Sequence, residues 1–441
     1  MSQPVLSAGA EVLSAHYDVA IIGGGLVGAS LACALAPLGL RIALLEAVAP
    51  RAQTQPSYDD RTLALSASSC RILQGLGAWP ALQQNATAIR EIHVSEQDRP
   101  GRVVLRPEEL GLEQFGHVIE AREFGLAMMD LLARQKAVDL VCPAKVTGID
   151  IQAGAAHVSF TGVSGEQGLQ AGLLVGADGA ESAVRDALGI AVERHDYGQT
   201  AIICNITPEA AHNGRAFERF TATGPFAVLP HVQGRCGLVW SVAREEAEQL
   251  LALSDEMFLL RAQSKFGTEL GLWLKAGKRS SYPLRLVRAL EDTRARAVIL
   301  GNAAHAIHPI GAQGFNLGLR DVAVLAEVIA TALAQDPRAD IGQLELLQEY
   351  SRWRAPDQAG TIAYSDGLAR LYANPTPVAA AVRRLGLLAH ALFPPLRRQL
   401  AIRAMGYRGK IPRLALGEQL TWGEPLARGE QQTLAERLAG A

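Results

Sequence analysis

The chain has 441 residues, 49% of them hydrophobic and 20% charged, which is enough for roughly two to three domains with real cores. Its formal net charge of -2 gives no electrostatic support to a nucleic-acid partner. Five scattered cysteines, with no C-x-x-C pair among them, fit buried thiols of a reducing compartment, so neither a disulfide frame nor a metal site is expected.

Residues 1–16 read as a loose leader, and the absence of Lys and Arg from the first 15 residues speaks against a secretory or transit peptide. Residues 17–22 form an apolar, β-branched strand, and Gly23-Gly24-Gly25-Leu26-Val27-Gly28 follows as G-x-G-x-x-G. A helix over 26–38 comes next, then a strand over 41–45 that ends in Glu46. Gly23, Gly25 and Gly28 permit a tight turn and close approach to a pyrophosphate, while Glu46 can accept hydrogen bonds from a ribose diol. The fingerprint does not separate FAD from NAD(P). The uncharged window 19–40 has about the 20 residues of a membrane helix. Its three consecutive glycines and Pro37 favour strand, turn and soluble helix instead.

Asp59, Asp60 and Arg61 precede a helix over 66–75, and taken alone they read equally well as a solvated charge pair. Residues 89–104 give two short strands around a turn at 98–101, and a helix over 118–132 opens at Arg122. Strands fill 138–160, and Gly162, Gly165 and Gly168 mark a hairpin loop. A buried strand at 173–175 leads into Gly176-Ala177-Asp178-Gly179 and a short helix that Glu181 or Ser182 caps. Strands at 200–206, 216–221, 226–230 and 236–242 follow, with Phe226, Leu229, His231 and Trp240 either lining a pocket or packing the sheet's own core. A helical cover over 254–275 and a strand at 281–286 return the chain to a strand at 297–300.

Then comes the most informative stretch, LGNAAHAIHPIGAQGFNLGLRD, from Leu300 to Asp321. Gly311, Gly314 and Gly318 space a turn, and a helix begins near Phe315, so unpaired backbone N–H groups converge on a point suited to an electron-rich group. In the C-terminal region no acid occurs from 367 to 417, while nine Arg and Lys residues do. Val378, Val382, Leu385, Leu388, Leu392 and Phe393 fall among them at roughly helical spacing, as in a helix that lies on an anionic membrane, docks on a partner, or packs with a solvated arginine face.

The motif at 301–316 resembles the second FAD motif of aromatic-hydroxylase-type flavoprotein monooxygenases, G-D-A-A-H-x-x-x-P-x-x-x-x-G-x-N, with Gly301, Ala303, Ala304, His305, Pro309, Gly314 and Asn316 in place. Asn302 stands where most members have aspartate. Its amide can still accept from a ribityl hydroxyl, without the charge. The wording G-N-A-A, H-P-I and Q-G-F-N-L-G is closer to ubiquinone-biosynthesis hydroxylases, especially the branch acting on 2-polyprenyl-6-methoxyphenol.

This resemblance implies an α/β fold: a Rossmann-like FAD-binding domain in discontinuous segments (17–75, 105–190, 285–347), an antiparallel β-sheet substrate domain (76–104, 191–284) and C-terminal helices (348–441). It implies FAD as cofactor, NAD(P)H as transient co-substrate, O2, and ring hydroxylation of a polyprenylated phenol through a flavin C4a-hydroperoxide. It also places Arg61, Arg122, Asp178, Asn302, Gly314, Phe315 and Asn316 at the cofactor. His308, beside Pro309, is the candidate to help the phenol lose its proton, against a structural histidine. A cytoplasmic protein is expected, peripheral on the inner membrane face or in a quinone-biosynthesis complex through the basic region. A flavin reductase or electron-transfer enzyme of the same fold would turn over without oxygen, and a non-catalytic flavoprotein subunit would tolerate changes at the ring-facing loop.

Overall fold

The computed structural model of the protein describes residues 16–49, 61–99 and 101–422. Readings at 1–15, Asp59, Asp60 and Pro100 lie outside them. In chain order the elements that matter below are β1 (His16–Ile22), α1 (Leu26–Leu35), β2 (Ile42–Leu45), β3 (Thr62–Ser66), α2 (Ala67–Gly75), β4 (Glu91–Glu96) and β5 (Gly165–Gly176). They continue with β6 (Val192–Pro208), β7 (Arg215–Thr221), β8 (Gly224–Pro230), β9 (Cys236–Ala243), α3 (Asp255–Phe266), β10 (Ser280–Ala289) and β11 (Ala297–Ile299). Four helices close the described chain: α4 (Gln313–Gln335), α5 (Leu344–Ala373), α6 (Pro377–Leu392) and α7 (Pro394–Ala404).

The first sheet has a parallel centre in the order β11-β5-β1-β2, extended by the strand Val138–Val141. Its strands are nearly all apolar because both faces are covered. Side-chain alternation sorts them: Val19 and Ile21 enter the core under α1 and α4, while Ala20 and Ile22 enter a second core on the opposite face. The register carries the functional consequence. Ile22 pairs with both Leu45 and Gly176, and Gly176 pairs with Ile299, so all four carboxyl ends stop in line. The loops that follow them therefore leave from one edge, where open α/β sheets bind ligands.

The second sheet is largely antiparallel and runs β10-β6-β9-β8-β7-β4. One face, with Ile202, Phe226, Leu238 and Trp240, packs beneath Phe258 and Phe266 of α3. Its other face carries Ala216, Ala227 and Leu229 toward the interior of the molecule. A two-residue strand, His305–Ala306, pairs with β10 and so joins the second glycine-bearing motif to this sheet.

Two predicted helices come out shorter. Residues 116–120 form a strand because Val118 and Ile119 pair with Ala64 and Leu63 of β3, so the helix starts only at Ala121. The cover over 254–275 stops at Phe266, where Gly267 adopts φ 96°, and the strand Trp273–Ala276 then pairs with β6. The window 19–40 is strand, turn and helix, and no helix among the described residues is long and apolar enough to cross a membrane. Gly162 and Gly165 bound a hairpin as expected, although Gly168 lies within β5.

A buried polar cluster ties these layers together. Asp321, fully buried on α4, accepts from Gly301 N (3.1 Å), His305 Nε2 (2.6 Å), Arg354 Nε (2.8 Å) and Gln358 Nε2 (3.1 Å). Arg354 also reaches Asp357 (2.8 Å), which accepts from Arg320 as well (2.7 Å). Burial opposes the charge on Asp321, but His305 and Arg354 outweigh it and hold the carboxyl well below the usual range. Its stabilising contribution is therefore complete above the unfolded value near ~3.9 and is lost as pH falls toward the folded value. Asp321→Ala leaves the buried Arg354 and Arg320 to share Asp357 and is expected to cost about 3–5 kcal/mol, read as a lower urea midpoint at neutral pH. An unchanged midpoint would contradict this account.

Candidate active site

One cavity of about 1310 Å³ lies between the carboxyl edge of the first sheet and the inner face of the second. Ten of the candidate cofactor-binding and catalytic residues line it: Gly23, Gly25, Glu46, Arg61, Asp178, Asn302, Pro309, Gly314, Phe315 and Asn316. They come from loops more than 250 positions apart in the chain, and the sheet register explains why they meet.

Gly28 lies just beneath the wall, where a Cβ would come within 1.9 Å of Gly23 O, so only glycine lets α1 start there. A Cβ on Gly23, which has φ 101°, would lie 2.5 Å from Ala177 O. These two glycines press the first turn against the Asp178 loop. Glu46 accepts from Gly24 N (2.7 Å) and Val48 N (2.8 Å), which fixes its carboxylate at the end of β2. Asp178 accepts from Val184 N (3.1 Å) through Oδ2, while Oδ1 is buried without a hydrogen-bond partner, and burial raises the carboxyl's pKa. A buried acceptor with nothing to bind is costly unless a ligand supplies the donor. Together with the glycine cradle, that orphaned oxygen fits a flavin nucleotide laid along this edge.

The second motif forms the facing wall. Gly301 (φ 59°) and Gly311 (φ 64°) take left-handed turns that a side chain would strain. Asn302 is exposed to the cavity. Asn316, by contrast, spends its amide inside the protein: Oδ1 accepts from Ser66 N and Ser69 Oγ, and Nδ2 donates to Ala64 O and Ala312 O. It fastens the start of α4 to β3 and α2, and so positions the turn before it.

Two residues sit elsewhere. Arg122 is exposed in the first turn of the helix Ala121–Leu132 and is not on the cavity wall. His308 is completely buried behind the wall; its Nε2 donates to Gln199 Oε1 (3.0 Å) and its carbonyl accepts from Ser365 Oγ. Burial pushes its pKa down to about 4, so the ring is neutral at physiological pH and has no access to a phenol in the cavity. The structural reading of His308 is the one the geometry supports. Pro309, next to it, does reach the wall. Of the four residues weighed as pocket lining, Leu229 is on the wall, Phe226 and Trp240 pack under α3, and His231 pairs with Glu120 (3.1 Å).

Arg185 was not foreseen as part of this site. Fully buried, it donates to Ala180 O (2.8 Å) and Ala303 O (3.1 Å), clamping the Asp178 loop to the second motif. An arginine seven residues after the aspartate was the available signal. Nothing in the local pattern distinguished it from a surface residue.

This is the architecture of an FAD-dependent aromatic monooxygenase. The model of the FAD binding domain family matches residues 16–363. The chain is 38% identical to the ubiquinone hydroxylase UbiL of Rhodospirillum rubrum, over 88% of this chain and 89% of that protein. It is 31% identical to the 3-demethoxyubiquinol 3-hydroxylase of Escherichia coli, over 88% of this chain and 98% of that protein. Among solved structures, p-nitrophenol 4-monooxygenase PnpA from Pseudomonas putida superposes with a TM-score of 0.76 at 18% identity, covering 90% of this chain and all of that one, and so shares the fold. The chain belongs to the FAD binding domain family, in the group that holds these ubiquinone hydroxylases, and FAD is its cofactor.

Asp178→Ala removes the orphaned acceptor without disturbing the glycine turns. FAD affinity is expected to fall about 10–100-fold, measured by flavin fluorescence on titrating apoprotein. Unaltered affinity would take Asp178 away from the cofactor.

Proposed function

We propose that the protein hydroxylates the aromatic ring of a polyprenylated phenol, of the 2-polyprenyl-6-methoxyphenol type, in ubiquinone biosynthesis. The observation that carries this reading is the course of the cavity. From the flavin-facing turns it continues past the inner face of the second sheet and between α5, α6 and α7, where Leu368, Leu371, Leu387, Leu396 and Leu400 line it. A phenol alone has no use for so long an apolar extension. A prenyl chain would fill it.

FAD, reduced by NAD(P)H, supplies the activation of O2 and the transfer of one oxygen atom. In this reading the protein's residues bind, orient and exclude water. Glu46 and Arg61 would hold the ribose side, Asp178 and Asn302 would bond the ribityl chain, and the N–H groups of the 311–315 turn would favour negative charge on the flavin ring. Apolar side chains of the second sheet, among them Ile92 and Leu229, shield the reacting face from water.

The C-terminal helices support a membrane-surface role. Val378, Val382, Leu385, Leu388, Leu392 and Phe393 are each at least half exposed, so the apolar stripe faces away from the protein's core. Two arginines of the same region bond inward instead: Arg383 with Glu96 (3.0 Å) and Arg397 with Glu109 (2.9 Å). Val382, Leu387 and Leu396 also line the end of the cavity, so the exposed stripe borders the place where a lipid tail would enter. An exposed apolar face with Arg384 exposed beside it suits an anionic bilayer.

Under 18O2, product from a prenylated phenol should carry one labelled oxygen, and none should form anaerobically; labelled water as the oxygen source would contradict the proposal. Leu387→Trp together with Leu400→Trp should raise KM for long-tailed phenols about 10-fold while sparing short-tailed ones, because bulk is added only where the tail lies. Leu385→Glu with Leu388→Glu should abolish sedimentation with phosphatidylglycerol vesicles and leave turnover of a short-tailed phenol intact. Undiminished vesicle binding would remove the membrane role.

A further inference from the structure

Glu218 is out of character with its surroundings. It stands on β7 with Ala216 and Phe220 as its neighbours at period two, and it pairs with Ala227 on β8 and Val94 on β4. All of these line the cavity, and Glu218 lines it with them. Its side chain is part-buried on the cavity wall. Opposite it is the backbone N–H of Gly311, in the turn of the second motif. No ion pair holds Glu218 among the described residues.

The other titratable groups around it come from the helical side. Tyr364 and Tyr372 of α5 are kept protonated, first by burial and then by neighbouring acids that include Glu218. Arg383 of α6 is spent on Glu96, and His390, farther along the cavity, bonds Gly386 O through Nδ1. Arg403 and Arg408 approach Tyr364 from α7 and the segment after it. His308 is neutral behind the wall. Glu218 is the carboxylate that stands between the second sheet and the Gly311 turn, where it can serve as a base. Burial pushes its pKa up to about 7, against the opposing Gly311 N–H, which suits proton exchange near neutrality.

We propose that Glu218 is the catalytic base that takes the phenol proton of the substrate and holds the oxygen-bearing edge of the ring beside the Gly311 turn. This rests on the hydroxylase reading above. The phenol O–H bond breaks and a carboxyl O–H forms, and the electron pair left on oxygen enriches the ring carbon that is to be oxygenated. O2 is the oxidant and NAD(P)H, through FAD, the reductant; one oxygen atom enters the ring and the other leaves as water, which takes up a proton from solvent. After oxygen transfer that carbon releases its hydrogen as a proton and the ring regains aromaticity. The carboxylic acid then returns its proton to the phenolate oxygen, so Glu218 ends as it began.

The test uses holoenzyme with 2-geranylphenol and a ring-fluorinated analogue whose phenol is already ionised at neutral pH. Wild-type kcat/KM for 2-geranylphenol should show an acid limb near pH 7. Glu218→Gln should keep its FAD, lose that limb and lose about 100-fold in kcat, with the analogue restored to within about 10-fold of wild type. Glu218→Asp should recover part of the loss. Wild-type turnover and an unchanged acid limb in Glu218→Gln would overturn the proposal, as would equal losses on both phenols, which would make Glu218 a support for the Gly311 turn. Should the variants fail to fold, a wild-type rate flat across the neutral range overturns it as well. Absence of oxygenated product from wild type with either phenol would instead sink the hydroxylase reading itself.

Discussion

A single buried carboxylate, Asp321, fixes where the second flavin motif lies. It receives donors from the Gly301 backbone, the His305 ring and two side chains of α5, so the turn after β11, the helix α4 and the helix α5 are set against one another through one residue. Buried ion pairs add little net stability, because desolvation consumes much of their attraction. What they impose is geometry, since any shift of α4 would strand Arg354, Arg320 or Asp357 without a partner. Asn316 completes the arrangement at the start of α4 by binding it to β3 and α2. The turn between His308 and Gln313 is thus held at both ends.

The cavity follows from two sheets meeting at that turn. The parallel sheet contributes an edge of backbone and polar groups, and the antiparallel sheet contributes an apolar face. In the proposed reading the flavin nucleotide lies along the first and the phenol against the second, with the turn between them. Beyond both, α5 to α7 extend the apolar wall toward a stripe of exposed Leu and Val. For the lipid-tailed substrate proposed above, the surface that would draw the enzyme to a membrane lies where the tail would enter.

Much of the nucleotide-binding edge was legible in the sequence, because its signals are local. A glycine at φ 101° or 64°, an acid at a strand end and an apolar run each mark their own position. The shared edge then follows from strand pairing. Side-chain direction was not legible. His308 and Pro309 are adjacent, yet one turns inward to Gln199 and the other reaches the wall, and no pattern of letters distinguishes those outcomes. Residues 118–120 read as helix because the strand they pair with, β3, lies some fifty residues earlier. Asn316 looked like a ligand to the flavin, while its four hydrogen bonds are all internal. Glu218 drew no notice because an acid in a strand next to Arg219 resembles a surface pair; only the alternation with Ala216 and Phe220 hinted at an inward carboxyl.

The most direct test is an experimental structure with FAD and a long-tailed prenylated phenol bound together. The account predicts the flavin ring against the 311–316 turn, the phenol between it and the inner face of the second sheet, and the tail running between α6 and α7 to the exposed stripe. A flavin in that place with the tail leaving on another side, or a phenol bound outside the cavity, would contradict it.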